Sequence, residues 1–176
     1  MSLDQVTLFL ALLAVVAEAG TLVLAATGAV GGRARATVRA GVGPVALWLA
    51  AAVAAVCTLG SLYYSEIADF PPCRLCWYQR ICMYPLVPLL GMAAWRRDTG
   101  IRMYALPLAV VGAAIATYHV ILERVPSLES GACEATNPCT IIWVERFGYL
   151  TIPSMALTGF VAIAVLLGYA TKEAPT

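Results

Sequence analysis

Charge is what this sequence has least of. Only 12% of its 176 residues are Asp, Glu, Lys or Arg, about half the ~25% of a soluble domain. So few charges cannot cover a water-facing surface. With 61% hydrophobic residues and a mean hydropathy of +0.84, the chain is expected to be an integral membrane protein. The net charge of +1 speaks against a polyanionic partner, so no nucleic acid is expected. Neither a haem-attaching CxxCH nor a glycine-rich dinucleotide fingerprint occurs. Internal repeats, low-complexity runs and linkers are also missing, so residues 1–176 read as a single membrane domain.

What the chain does have is five apolar runs, at about 6–30, 44–64, 77–95, 103–122 and 151–170. Each approaches the roughly 20 residues that span a bilayer at 1.5 Å per residue. Spans in lipid must satisfy their own backbone, which requires helices. The first run is read as a retained helix rather than a cleaved signal. A signal's leading segment is basic, and this one holds Asp4 with no Lys or Arg. Glu18 lies mid-span, where an ionised carboxylate is costly, and is expected to be protonated or paired.

Five spans put alternate loops on alternate sides. One side holds Arg33, Arg35, Arg39, Arg96, Arg97, Arg102 and Lys172; the other holds Arg74, Arg124 and Arg146. The positive-inside rule makes the first side, with the C-terminus, cytoplasmic. The N-terminus, the Cys73/Cys76 pair and the loop at 123–150 then face outward, so these cysteines meet an oxidising compartment. Residues 31–43 read as a short loop. Within 140–150, Ile141, Ile142, Trp143, Val144 and Phe147 suit a short helix lying in the interface.

The chemistry gathers at Pro72-Cys73-Arg74-Leu75-Cys76-Trp77-Tyr78-Gln79-Arg80. A helix starting near Cys76 puts Arg80 one turn on, on the same face. A guanidinium there lowers a thiol's pKa. A second outward pair, Cys133 and Cys139, flanks an Asn-Pro turn that can bring its sulfurs into bonding range. Three readings remain open from the residues alone: exchange-active pairs, two structural disulfides, or a zinc site. Redox is favoured, because CxxC thiols are usually exchange-active, while a five-residue gap is wide for a zinc knuckle. Cys57 and Cys82 lie within spans and read as small hydrophobes. Arg80 reads as a snorkelling cation or as a stabiliser of the Cys76 thiolate or of an anionic reduced cofactor. His119, near the outer end of the fourth span, is polar at membrane depth and hence a functional candidate.

If the outward cysteines oxidise other proteins' thiols, two electrons per turnover need a higher-potential acceptor. No side chain supplies one. A lipid-soluble quinone arriving from the bilayer fits, and Cys76 is best placed to meet it.

The string SLYYSEI…PPCRLCWYQRICMYPL, then TYHVIL, the Cys133/Cys139 pair and LTIPSMALTGF, resembles the disulfide bond formation protein B family, especially its Gram-positive-like branch. The resemblance runs over about residues 45–170. It implies an all-α, four-helix transmembrane bundle, here with one extra N-terminal transmembrane helix. It also implies a bound quinone, either ubiquinone or menaquinone, drawn from the membrane pool of a bacterial cytoplasmic membrane. The implied activity is reoxidation of a thioredoxin-fold thiol oxidase on the outer side. Carried over by residue, Cys133 forms the mixed disulfide with the partner and Cys139 then attacks Cys73. Cys76 is released to pass electrons to quinone, while Arg80 and His119 lie at the quinone. The compact second pair departs from the family pattern and implies exchange with less loop movement.

Overall fold

The computed structural model describes residues 2–129, 131–134 and 136–171. Lys172, counted above on the cytoplasmic side, lies outside the described residues, as does the C-terminus. The protein is all-α and membrane-embedded. Helix α1 covers Leu3–Val30, α2 Gly32–Val42 and α3 Ala46–Leu62, which continues through a π-turn at Tyr63–Ile67. Next come α4 (Arg74–Met83), α5 (Leu86–Arg96), α6 (Arg102–Arg124) and α7 (Ile152–Tyr169). Among the described residues, four helical stretches are long and apolar enough to cross a membrane: Leu3–Val30, Ala46–Ile67, Thr99–Arg124 and Ile152–Tyr169.

The third apolar run is not one helix. Pro85 has no N–H to return to Ile81, so the run breaks at Tyr84–Pro85 into α4 and α5. Pro88 falls in the first turn of α5, where a missing donor costs little. Helix α4 also starts earlier than the sequence suggests. Cys73 is its N-cap, with Sγ accepting from the Cys76 amide at 3.3 Å.

Two further segments differ from expectation. Residues 31–43 form a helix, not a loop. Gly31 and Gly32 at φ 68° and 56° make the turn out of α1, and the Ala- and Arg-rich stretch beyond has no breaker before Gly41. The interfacial helix expected in 140–150 is instead a small antiparallel hairpin, Glu145–Arg146 (β1) against Leu150–Thr151 (β2). Phe147 and Gly148 both have positive φ, 54° and 76°, a turn geometry that no helix accommodates.

The core is a small-residue helix bundle. Ala46, Ala50 and Ala54 of α3, Leu86 and Leu90 of α5, and Phe160 and Ile163 of α7 are fully buried. Gly112 of α6 lets α7 approach: a Cβ there would overlap the Phe160 ring. Gly112→Val is therefore expected to destabilise the protein by about 1–3 kcal/mol, through overpacking. Thermal unfolding in detergent would read this as a lowered Tm; an unchanged Tm would contradict this packing.

The arginines separate between the two ends of the bundle. At one end Arg74 pairs with Glu134 at 3.0 Å, Arg124 with Glu145 at 3.2 Å and Arg146 with Asp4, while the buried Arg80 bonds Ser61 instead. At the other end Arg102 donates to the Ala170 carbonyl. Among the described residues, Arg33, Arg35, Arg39, Arg96, Arg97 and Arg102 form no ion pair.

Candidate redox site

Both cysteine pairs sit together at the acid-paired end. Cys133 and Cys139 form a disulfide with Cα atoms 5.8 Å apart, an ordinary span for such a bond. Cys73 and Cys76 are reduced, with sulfurs 3.0 Å apart. The two loops are stitched by Asn137, whose side-chain amide donates to the Pro72 carbonyl at 3.2 Å and reaches that of Pro71 at 3.4 Å. The exposed Arg74–Glu134 pair joins them as well, though such a pair adds at most about 1 kcal/mol. As a result the Cys73 Sγ, Cys139 Sγ and a His119 ring nitrogen all lie within 4.8 Å of one another.

Burial distinguishes the two disulfide sulfurs' residues. Cys139 is 1% exposed, whereas Cys133 is only half-buried. An incoming thiol meets Cys133 first. Cleavage there leaves the Cys139 sulfur inside, beside Cys73.

His119 is buried and held on both ring nitrogens. Nε2 is 3.1 Å from the Cys139 carbonyl oxygen and 3.7 Å from Cys73 Sγ. A carbonyl only accepts, so Nε2 carries the hydrogen and donates. Nδ1 then accepts from the Gln79 amide at 3.0 Å. Gln79 fixes the tautomer that directs an N–H at the Cys73 sulfur.

In the reduced pair the negative charge belongs on Cys73. The Cys76 thiol donates to its sulfur, the His119 N–H and the Cys76 amide add to this, and together they outweigh burial, holding its pKa well below the usual thiol value. Cys76 is pushed up, first by that same shared proton, then by burial. The pair should therefore keep its thiolate absorbance nearly constant from about pH 6 to about pH 9. An ordinary thiol near 8.5 would gain most of its charge over that range. A rise centred near the ordinary value would contradict the shared-proton geometry.

Arg80 is 8% exposed. Its guanidinium donates to Ser61, through Nε to Oγ at 3.0 Å and through Nη2 to the carbonyl at 3.1 Å. It also lies 5.1 Å from the centroid of Trp77. It is thus anchored to α3 rather than bonded to Cys76, and it acts on that sulfur through its charge.

A cavity of about 940 Å³ opens at this end, where Cys73, Cys76, Gln79, Arg80, His119 and Glu123 line it. Sequence reading left out Gln79, Ser61 and Glu123. Glu123 is 8% exposed and accepts from the Thr151 hydroxyl at 2.6 Å. Its signal was its position one turn after His119 on the same face. Gln79, one turn after Cys76, could have been found in the same way. Cys57 and Cys82 lie in the bundle core region, away from the exchange pairs. Zinc would find three donor atoms at Cys73, His119 and Cys139, but the Cys139 sulfur is bonded to Cys133, which leaves two.

Two cysteine pairs stitched together at one end of a membrane bundle, one as a disulfide and one as a dithiol, define a membrane thiol–disulfide redox protein. The comparisons narrow the class. The family model "Disulfide bond formation protein DsbB" matches residues 44–170, and the chain belongs to that family. It is 48% identical over 121 residues to the "Probable disulfide formation protein C 1" of Bacillus anthracis, covering 68% of this chain and 87% of the relative. It is 44% identical over 124 residues to the "Disulfide bond formation protein C" of Bacillus subtilis (strain 168), covering 70% and 90%. It is also 44% identical over 127 residues to the "Probable disulfide formation protein" of Chlamydia trachomatis serovar D, covering 72% and 93%. No solved structure matches. The chain is a multi-pass membrane protein with a redox role in disulfide formation. The matched region begins at residue 44, so α1 and α2 lie outside it.

Proposed function

We propose that the protein is a dithiol:quinone oxidoreductase of a bacterial cytoplasmic membrane that reoxidises an outward-facing thioredoxin-fold thiol oxidase. The observation that carries this reading is the approach of Cys139 to Cys73 within 4.8 Å. It supplies a path between the pairs without a large loop movement.

A thiolate of the reduced partner attacks Cys133 Sγ and breaks the Cys133–Cys139 bond, and Cys139 leaves as a thiolate. The partner's second thiol then displaces Cys133, so the partner departs oxidised. With Cys73–Cys76 as a disulfide, the Cys139 thiolate attacks Cys73 Sγ and Cys76 leaves. Cys133 then closes on Cys139, regenerating the disulfide seen here and leaving Cys73 and Cys76 reduced. The shared proton that raises Cys76 depends on a free Cys73 sulfur. While Cys73 is bonded to Cys139 that cause is gone, and the Arg80 charge remains to favour a Cys76 thiolate.

The cavity fits a quinone. Its redox end presents a cation, an imidazole, an amide and the Glu123 carboxyl around two sulfurs, and the rest is mostly apolar. When bound there, a quinone would accept two electrons and one proton from the Cys73 thiolate–Cys76 thiol pair, with the second proton coming from water. Arg80, His119 and Gln79 would hold its ring, and ubiquinone and menaquinone head groups both suit such a set. The cluster of Arg33, Arg35, Arg39, Arg96, Arg97 and Arg102 at the end away from the cysteines supports outward cysteines and a cytoplasmic C-terminus. Anaerobic quinone reduction in detergent, driven by a reduced thioredoxin-fold dithiol protein, tests the reading. Loss of quinone absorbance with the intact protein is expected; none with either quinone class, while both pairs stay oxidised, would reduce the cysteines to structural links.

A further inference from the structure

Helix α1 lies outside the family match, yet it walls the same cavity. It is fastened along one side. Glu18 accepts from the Tyr149 hydroxyl at 2.7 Å and from Thr158 of α7 at 2.9 Å. Lower down, the Tyr169 hydroxyl of α7 donates to the Leu24 carbonyl at 2.6 Å. Towards α3, α1 closes in at its outer end, where the Tyr64 hydroxyl donates to Thr7 at 3.3 Å and Leu10 lies against Gly60. Beyond that point the two helices face each other across the cavity. Leu13, Ala17 and Thr21 line it from α1; Ala52, Val53 and Val56 line it from α3.

The resulting slot is long and polarised. On α3 its lining runs from Leu49 to Tyr64, about 22 Å at 1.5 Å per residue. Its charged lining residues among those described are Arg80 and Glu123, and both belong to the redox end. A ligand matching this lining has a small polar ring at the cysteines and a long hydrocarbon chain behind it.

We propose that α1, with α3 and α7, forms a slot for the polyprenyl tail of the quinone, and that Glu18 is a positioning residue that fastens this wall to α7. The inference rests on the quinone reading above and adds what the extra helix does. A phospholipid acyl chain is the rival occupant. It would place a charged head group beside the cysteines or leave the redox end unfilled.

The test compares a long-tailed quinone with its tailless head-group analogue on the full chain. One readout is thermal stabilisation in detergent; the other is mass-spectrometric measurement of what co-purifies. Ala52 is exposed towards the slot, so Ala52→Phe fills the slot without overpacking the core, and Ala17→Leu serves as a second, milder filler. The unsubstituted protein is expected to be stabilised by the tailed quinone at concentrations about tenfold lower than by the analogue. It should also retain the tailed quinone through purification. In Ala52→Phe and Ala17→Leu that preference should shrink or vanish. Equal response to both ligands in the unsubstituted protein would overturn the slot while leaving the quinone reading intact. The same holds if the preference persists in both fillers, or if an acyl chain is retained in place of quinone. Response to neither ligand would overturn both. For Glu18, Glu18→Gln is expected to keep the preference and Glu18→Leu to lose it; equal loss in both would remove Glu18 from the proposal.

Discussion

Cys76→Ser is expected to abolish quinone reduction while still oxidising a single equivalent of the partner dithiol. The two halves of the reaction separate because the two pairs do. The Cys133–Cys139 disulfide is complete without Cys76, so a reduced partner can spend it once. Regenerating it requires a second disulfide in which Cys73 is bonded to Cys76, and serine cannot form one. Cys133→Ser or Cys139→Ser should do the reverse, removing partner oxidation while the Cys73/Cys76 pair can still be oxidised by quinone. Cys57→Ser and Cys82→Ser should leave turnover within about twofold, because both lie in the bundle core rather than at the exchange site. Quenched-flow thiol counting alongside quinone absorbance reads both halves. Multiple turnovers by Cys76→Ser would end this scheme.

Arg80→Ala is expected to raise the quinone KM about tenfold or more and to leave partner exchange within about twofold. A buried cation facing a polar ring in an apolar cavity contributes on the order of 1.5–3 kcal/mol through charge-assisted hydrogen bonds, and tenfold corresponds to about 1.4 kcal/mol. The substitution also strands the Ser61 groups that the guanidinium bonds, so some loss of stability should accompany it. Arg80→Lys keeps the charge but not the forked bonds to Ser61, and should fall between the two. Equal losses in both half-reactions would contradict a role at the quinone end.

Much of this was legible in the chain. Charge scarcity and run length point to the membrane bundle, and CxxC with a second cysteine pair points to the two pairs that the fold brings together. What the sequence hid was local backbone geometry and partner choice. The third run read as continuous because apolar windows ignore a missing N–H at Pro85. The 140–150 segment read as a helix because its apolar content is right for one; the positive φ of Phe147 and Gly148 leaves no mark in hydropathy. Arg80 was placed one turn from Cys76, but side-chain spacing does not reveal that Ser61 of another helix would take its hydrogen bonds. That spacing alone puts the thiolate on Cys76. The shared proton with Cys73 and the His119 N–H place the resting charge on the other sulfur. Glu18 had no assigned role until Tyr149 and Thr158 appeared beside it, since both are more than 130 residues away in the chain.

In the proposed relay, electrons cross between the two pairs at Cys139 and Cys73. The direct test is the double variant Cys76→Ser/Cys133→Ser, which leaves only those two of the four cysteines of the two pairs. Mild oxidation of the purified protein, followed by proteolysis without reductant and mass spectrometry, shows which cysteines join. A Cys73–Cys139 linked peptide, formed at native temperature without denaturant, is the predicted result. Free thiols at both positions, or linkage between separate molecules only, would mean that the sulfurs do not meet in the folded protein, and the proposed relay would be wrong.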